Sequence, residues 1–218
     1  FPLTVDDAFE ALRSAQSGRV PEGNVGGGTG MICHEFKGGI GTSSRVVTIE
    51  GENYTVGALV QANYGSRRLL RVDGVPIGRL IPPEAVPTPS PKPRSASSII
   101  VILATDAPLL PVQCKRLAQR ATVGLARVGG TGHNGSGDIF LAFATGNELP
   151  AEAPAVRPLK MLQHNLLNPL FNAAAEAVEE SIINALCAAE TMTGREGHTA
   201  HALPLDQLQT LMTKHQVR

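Results

Sequence analysis

Residues Ser95–Leu110 read SASSIIVILATDAPLL, and they follow Pro82–Pro93, PPEAVPTPSPKP. Half of that twelve-residue tract is proline. Proline has no amide hydrogen and a fixed φ, so the tract cannot enter the interior of a sheet or helix. Its composition favours extended polyproline and marks a surface tether over residues 82–97. Ser98–Ala104 is the opposite, a continuous apolar, β-branched run that reads as a strand buried on both faces. A tether that meets a buried strand at a pair of serines has two readings. One is an ordinary linker. The other is a nucleophile held where a new chain terminus can form.

Working outward, Thr4–Gln16 has a capping residue, Asp7 at the capping-box position, and Val5, Phe9 and Leu12 at helical spacing. Gly23–Ser44 holds eight glycines, with a short strand expected at Met31–Phe36. Arg45–Glu50 and Tyr54–Asn63 read as strands joined through Gly51-Glu52-Asn53. Beyond the apolar strand, Pro111–Arg127 is a helix candidate and Asp138–Thr145, DIFLAFAT, a further strand. Asn168-Pro169 opens a helix expected to reach about Met192, and Leu205–His215 a last short one. Strands early, helices late and mixing between them point to one α+β unit over residues 1–218, a sandwich with helices on sheet faces.

Composition sets bounds on function. Of 218 residues, 42% are hydrophobic and 17% charged, which is globular. Lys plus Arg and Asp plus Glu number 19 each, so no net charge draws the chain to nucleic acid or an anionic membrane. No apolar run has the length of a membrane span. Cys33, Cys114 and Cys187 are odd in number and widely spaced, which predicts buried free thiols and a reducing, cytoplasmic setting. The chain opens at Phe1 without methionine, so a periplasmic location stays open.

Several sites are disfavoured. NVGGGTG, Asn24–Gly30, lacks the lysine of a phosphate loop and leads into a strand, not a helix. His34, His133, His164, His198 and His201 form no zinc-binding spacing, so no metal and no cofactor is expected. There is no Gly-x-Ser-x-Gly elbow for a serine triad. A serine at a new N-terminus needs no histidine, because its own α-amine, with a pKa near ~8, can take the hydroxyl proton. Before cleavage the same hydroxyl can attack the preceding carbonyl.

Four blocks, NVGGGTGMICHEFKGGIGTSSR, VGALVQANYG, SIIVILATDAPLLP and NGSGDIFLAF, stand at 24–45, 56–65, 98–111 and 134–143. Together they resemble the bacterial L-aminopeptidase/D-amidase-esterases and β-peptidyl aminopeptidases, which are self-cleaving N-terminal serine hydrolases. The resemblance spans nearly the whole chain. It implies an α/β/β/α sandwich like that of the N-terminal nucleophile hydrolases but differently connected. It implies cleavage between Ser97 and Ser98, Ser98 as nucleophile, and residues 98–218 as the C-terminal subunit. By the same match Asn63 supplies an oxyanion-hole amide, while Ser136 and Asp138 bind the Ser98 amine and position the substrate's amine. The implied substrates are short peptides, amino-acid amides or esters, and the implied assembly a homo-oligomer of processed heterodimers. Three features depart from the family pattern: Ser97 replaces the usual glycine, Asp138 stands where some members have glutamate, and an N-terminal segment with a catalytic tyrosine is absent from this chain. Neither Tyr54 nor Tyr64 matches that tyrosine. The alternatives are an acyltransferase of related fold and a non-catalytic binding or assembly protein.

Overall fold

The computed structural model describes residues 3–89, 97–149, 152 and 155–216. The tether's central part, residues 90–96, lies outside them. In chain order the elements are α1 (Val5–Arg13), β1 (Ile32–Cys33), β2 (Phe36–Lys37), β3 (Ile40–Ile49), β4 (Glu52–Asn63), α2 (Ile77–Leu80), β5 (Ser98–Thr105), α3 (Pro111–Ala118), α4 (Ala121–Arg127), β6 (Ile139–Ala144), α5 (Asn168–Cys187), β7 (Met192–Thr193), β8 (Thr199–Ala200) and α6 (Leu205–Lys214).

The main sheet has the order β3-β4-β5-β6. β3 and β4 are antiparallel, as are β4 and β5, whereas β5 and β6 are parallel. A parallel neighbour needs a crossover, and α3 and α4 provide it. The β3–β4 hairpin turns on Glu50 and Gly51, both at positive φ (52° and 86°). This pair of conformations belongs to the tight two-residue turn whose twist matches its strands. The strands therefore run closer to the turn than the expected Gly51–Asn53 connection.

Strand alternation separates two faces. Val56, Ala58, Val60 and Ala62 of β4 and Ile99, Val101 and Leu103 of β5 are buried, and α5 packs on this side with Ala174, Ala177, Val178, Ser181, Ile182 and Ala185 buried. Small residues let the helix come close. A Cβ at Gly41 would overlap the Ser181 carbonyl oxygen and crowd Ala185. Gly41→Ala should therefore lower stability by about 1–3 kcal/mol, since backbone cannot move aside as a side chain does; thermal unfolding measures it.

On the opposite face Ile139, Leu141 and Phe143 are 57%, 54% and 47% exposed. The expectation that β5 is buried on both faces holds on one only: Ile100 is 38% exposed. The protein has an α+β fold, and the described residues supply the four-stranded sheet with its helical layer and two small two-stranded sheets, β1-β2 and β7-β8. α1 carries the expected cap, with Thr4 N and Oγ1 donating to Asp7 Oδ2 at 2.7 and 2.8 Å. It buries none of its residues. α5 starts at Asn168 with Leu167 as the capping residue, so the asparagine enters the helix rather than capping it. It ends at Cys187, short of Met192. No helix among the described residues is long and apolar enough to cross a membrane.

Two buried cations organise the segments around β4. Lys37 Nζ donates to the carbonyls of Gly28, Met31 and Gly38 at 3.0, 2.9 and 2.6 Å. The Gly-rich turn thus presents carbonyl oxygens to an ammonium, the reverse of an anion cradle. Burial pulls that ammonium's pKa down to about 8. Arg67 stacks 3.5 Å over the Phe36 ring and donates to the carbonyls of His34, Glu35, Ile81 and Val86. Val86 is itself buried, so the proline-rich segment is not exposed along its whole length: its first part is docked through Arg67.

Candidate active site

Topology brings three distant stretches to one end of the sheet. In the antiparallel pair the last residue of β4, Asn63, faces the first residue of β5, Ser98. In the parallel pair β6 begins beside Ile100, so the loop before β6 comes back to the start of β5. That loop carries Ser136, Gly137 and Asp138.

The contacts there hold the backbone on both sides of Ser98. Gly137 N donates to Ser98 Oγ at 2.9 Å. The Ser136 hydroxyl lies 2.9 Å from the Ser97 carbonyl oxygen and 2.6 Å from Asp138 Oδ1. It has one proton, so it donates to one of these acceptors at a time. Ile99 N donates to Asp138 Oδ1 at 3.1 Å. All four sequence-predicted residues therefore meet at one place. The strand expected from Asp138 starts at Ile139, so Ser136 and Asp138 both belong to the preceding loop.

Asn63 Oδ1 accepts from Ile32 N at 3.1 Å. The donor is an amide, so this bond fixes which branch of the side-chain amide is oxygen and leaves Nδ2 as the donating branch. Asn63 and Ser98 stand directly opposite on neighbouring strands, an arrangement that puts Cβ atoms about 5 Å apart.

Sequence reasoning missed Tyr64, the next residue along. It is 5% exposed, meets the His34 ring edge to face at 4.9 Å between centroids, and is held far up its titration range, first by burial and then by nearby Cys33 and Asp138. His34 is fully buried at positive φ (49°), its Nδ1 3.0 Å from the Ser66 carbonyl oxygen, and burial drives its pKa down to about 4. The imidazole is thus neutral at ordinary pH. The alternation of β4, read one residue past Asn63, was the available signal: Tyr64 had to point away from Asn63, into the interior. Cys33 and Cys114 are buried and Cys187 is partly exposed; all three are free thiols, and burial raises the pKa of each.

A four-stranded sheet with a serine opening a central strand, and a polar loop gripping the residues on either side, is the arrangement of an N-terminal nucleophile hydrolase variant. The L-aminopeptidase D-Ala-esterase/amidase from Ochrobactrum anthropi, described as a prototype serine aminopeptidase with a new variant of the Ntn hydrolase fold, superposes with a TM-score of 0.88 at 44% identity, covering 99% of this chain and 59% of that one. The chain belongs to peptidase family S58, whose model matches residues 1–200. A Burkholderia sp. β-aminopeptidase structure matches with a TM-score of 0.89 and 51% identity over 100% of this chain and 60% of that one. The β-peptidyl aminopeptidase BapA of Sphingosinicella microcystinivorans is 45% identical over 99% of this chain, which spans 57% of that protein's length.

Proposed function

We propose that this chain is part of a self-processing serine aminopeptidase that cuts itself between Ser97 and Ser98 and then releases N-terminal residues from short peptides, amino-acid amides or esters. The observation that carries the reading is the grip on the Ser97–Ser98 bond: Gly137 N fixes the Ser98 oxygen while the Ser136 hydroxyl reaches the carbonyl oxygen of Ser97. Family membership and the names of the similar proteins support it.

In self-cleavage the Ser98 oxygen attacks the Ser97 carbonyl carbon, with the Ser136 hydroxyl as donor to the oxygen that gains charge. The C–N bond breaks, the nitrogen takes the hydroxyl proton, and an ester joins the two serines. Water adds to that ester: its oxygen stays on Ser97 as a carboxyl group, and a proton returns to Ser98 Oγ. The freed Ser98 amine then serves as base for the same hydroxyl. Attack on a substrate carbonyl forms an acyl-enzyme and expels the amine or alcohol; water releases the acid. Asn63 Nδ2 stabilises the oxyanion, and Asp138 receives the substrate's ammonium.

Residues 98–218 form the C-terminal subunit in this reading. The exposed apolar part of the sheet, Ile100 of β5 with Ile139, Leu141 and Phe143 of β6, is where the further segment of a longer precursor packs, completing the four-layer sandwich. The mature protein is a homo-oligomer of processed heterodimers, and its free thiols suit the cytoplasm.

Asp138→Asn tests the recognition step. It keeps the shape and removes the charge. In already processed protein it should lower hydrolysis of free-amine p-nitroanilides by about 10- to 100-fold, the scale of a charge-assisted hydrogen bond. N-acetylated analogues should be hardly affected. Equal losses on both substrates would place Asp138 on the nucleophile or the fold instead.

A further inference from the structure

Beside the Ser97–Ser98 bond lies a cavity of about 20 Å³, lined by Tyr64, Ser97, Leu125, Gly130, Ser136 and Asp138 among others. One water needs about 10–15 Å³ by the same measure and two to four polar partners. The cavity is therefore sized for a single water and too small for a substrate group. Tyr64 lines it, and among the described residues the Tyr64 hydroxyl is buried without a hydrogen-bond partner. An unsatisfied buried hydroxyl costs about 1–3 kcal/mol, a cost that structures accept where the group has a task.

We propose that this cavity holds the water that hydrolyses the Ser97–Ser98 ester during self-cleavage, and that Tyr64 is its positioning residue. The inference rests on the self-processing reading above and adds a residue and a site to it. A phenol donates to one lone pair of the water, the Asp138 carboxylate accepts one of its hydrogens, and the second lone pair is left for the Ser97 carbonyl carbon. The raised pKa of Tyr64 keeps it a phenol, and so a donor, throughout. Addition forms a C–O bond to Ser97, the bond to Ser98 Oγ breaks, and the proton passes through Asp138 to that oxygen. Ser136 serves both acts, as donor to the carbonyl and as a wall of the water site. Tyr64 acts after the ester has formed, so removing its hydroxyl leaves the first step intact.

The test uses the full-length protein, with wild type and Tyr64→Phe followed by intact mass from the first minutes after synthesis, with and without hydroxylamine. Hydroxylamine attacks an ester directly and leaves a hydroxamate on Ser97, so it replaces the water but cannot cleave an amide-linked chain. Expected is cleavage about tenfold slower in Tyr64→Phe, accumulation of a full-mass chain that hydroxylamine splits at Ser97–Ser98, and return of the cleavage rate to the wild-type range. Wild-type cleavage speed in Tyr64→Phe would overturn the proposal. So would slow cleavage that hydroxylamine does not rescue, which would put Tyr64 in the attack or the fold. An uncut wild type would remove the self-processing reading and this inference with it, a result distinct from the other two. Should Tyr64→Phe not fold, Leu125→Phe narrows the cavity from another wall while keeping the phenol, and the same hydroxylamine-rescued delay is expected of it.

Discussion

Ser98→Ala in the full-length protein should yield a single uncut chain and no measurable turnover of amino-acid p-nitroanilides. The substitution removes one oxygen from the first residue of β5, whose backbone pairing with Asn63 does not depend on it. Gly137 N loses its acceptor, but the Ser136 hydroxyl keeps the Ser97 carbonyl as an acceptor and Ile99 N still donates to Asp138. The fold should persist, and thermal unfolding should confirm it. No other hydroxyl can replace the missing one from the same position: Ser97 precedes the bond, and the Ser136 hydroxyl is held between the Ser97 carbonyl and Asp138. Loss of a nucleophile acts on the scale of about a million-fold in kcat, and here it also blocks the release of the α-amine that serves as base. Ser98→Thr keeps an oxygen at that place and should cleave slowly. Efficient cleavage in Ser98→Ala would place the nucleophile elsewhere.

Asn63→Ala should lower kcat by about 100- to 1,000-fold with a smaller change in KM, because a donor aimed at a developing oxyanion acts mainly in the transition state. The change also removes the acceptor of Ile32 N. Asn63→Asp separates the two effects. It keeps that acceptor and replaces the donating branch with a negative oxygen, so it should retain the fold and lose as much kcat as alanine or more. Stopped-flow and steady-state kinetics on processed protein measure both. A loss confined to KM would reduce Asn63 to a wall of the pocket.

The strands and the meeting of Asn63, Ser98, Ser136 and Asp138 were legible in the sequence for different reasons. The hairpin and β5 follow from alternation and apolar runs, which are local. The convergence of residues 63, 98 and 136–138 is not local; it depends on which strands pair and in which direction. Four ordered blocks resembling a known family supplied that, and the antiparallel-then-parallel pairing gives its geometric cause. The Gly-rich turn was legible only in part: its failure as a phosphate loop could be read, but its use as a carbonyl cage for Lys37 could not, because the lysine lies several residues downstream and on another element. The docked start of the proline-rich segment escaped for a similar reason. Its anchor is Arg67, and composition says nothing about a single buried guanidinium. The second face of β5 reads as buried in the sequence but is exposed at Ile100, because an apolar run looks the same whether or not the neighbouring residues cover it.

The central claim is that Ser98 becomes a chain terminus. Intact mass and N-terminal sequencing of the purified full-length protein test it most directly. Two fragments are expected, one of them beginning Ser-Ile-Ile-Val-Ile-Leu from Ser98. A single uncut chain in an active preparation, or a fragment starting at any other residue, Ser97 included, would contradict the account.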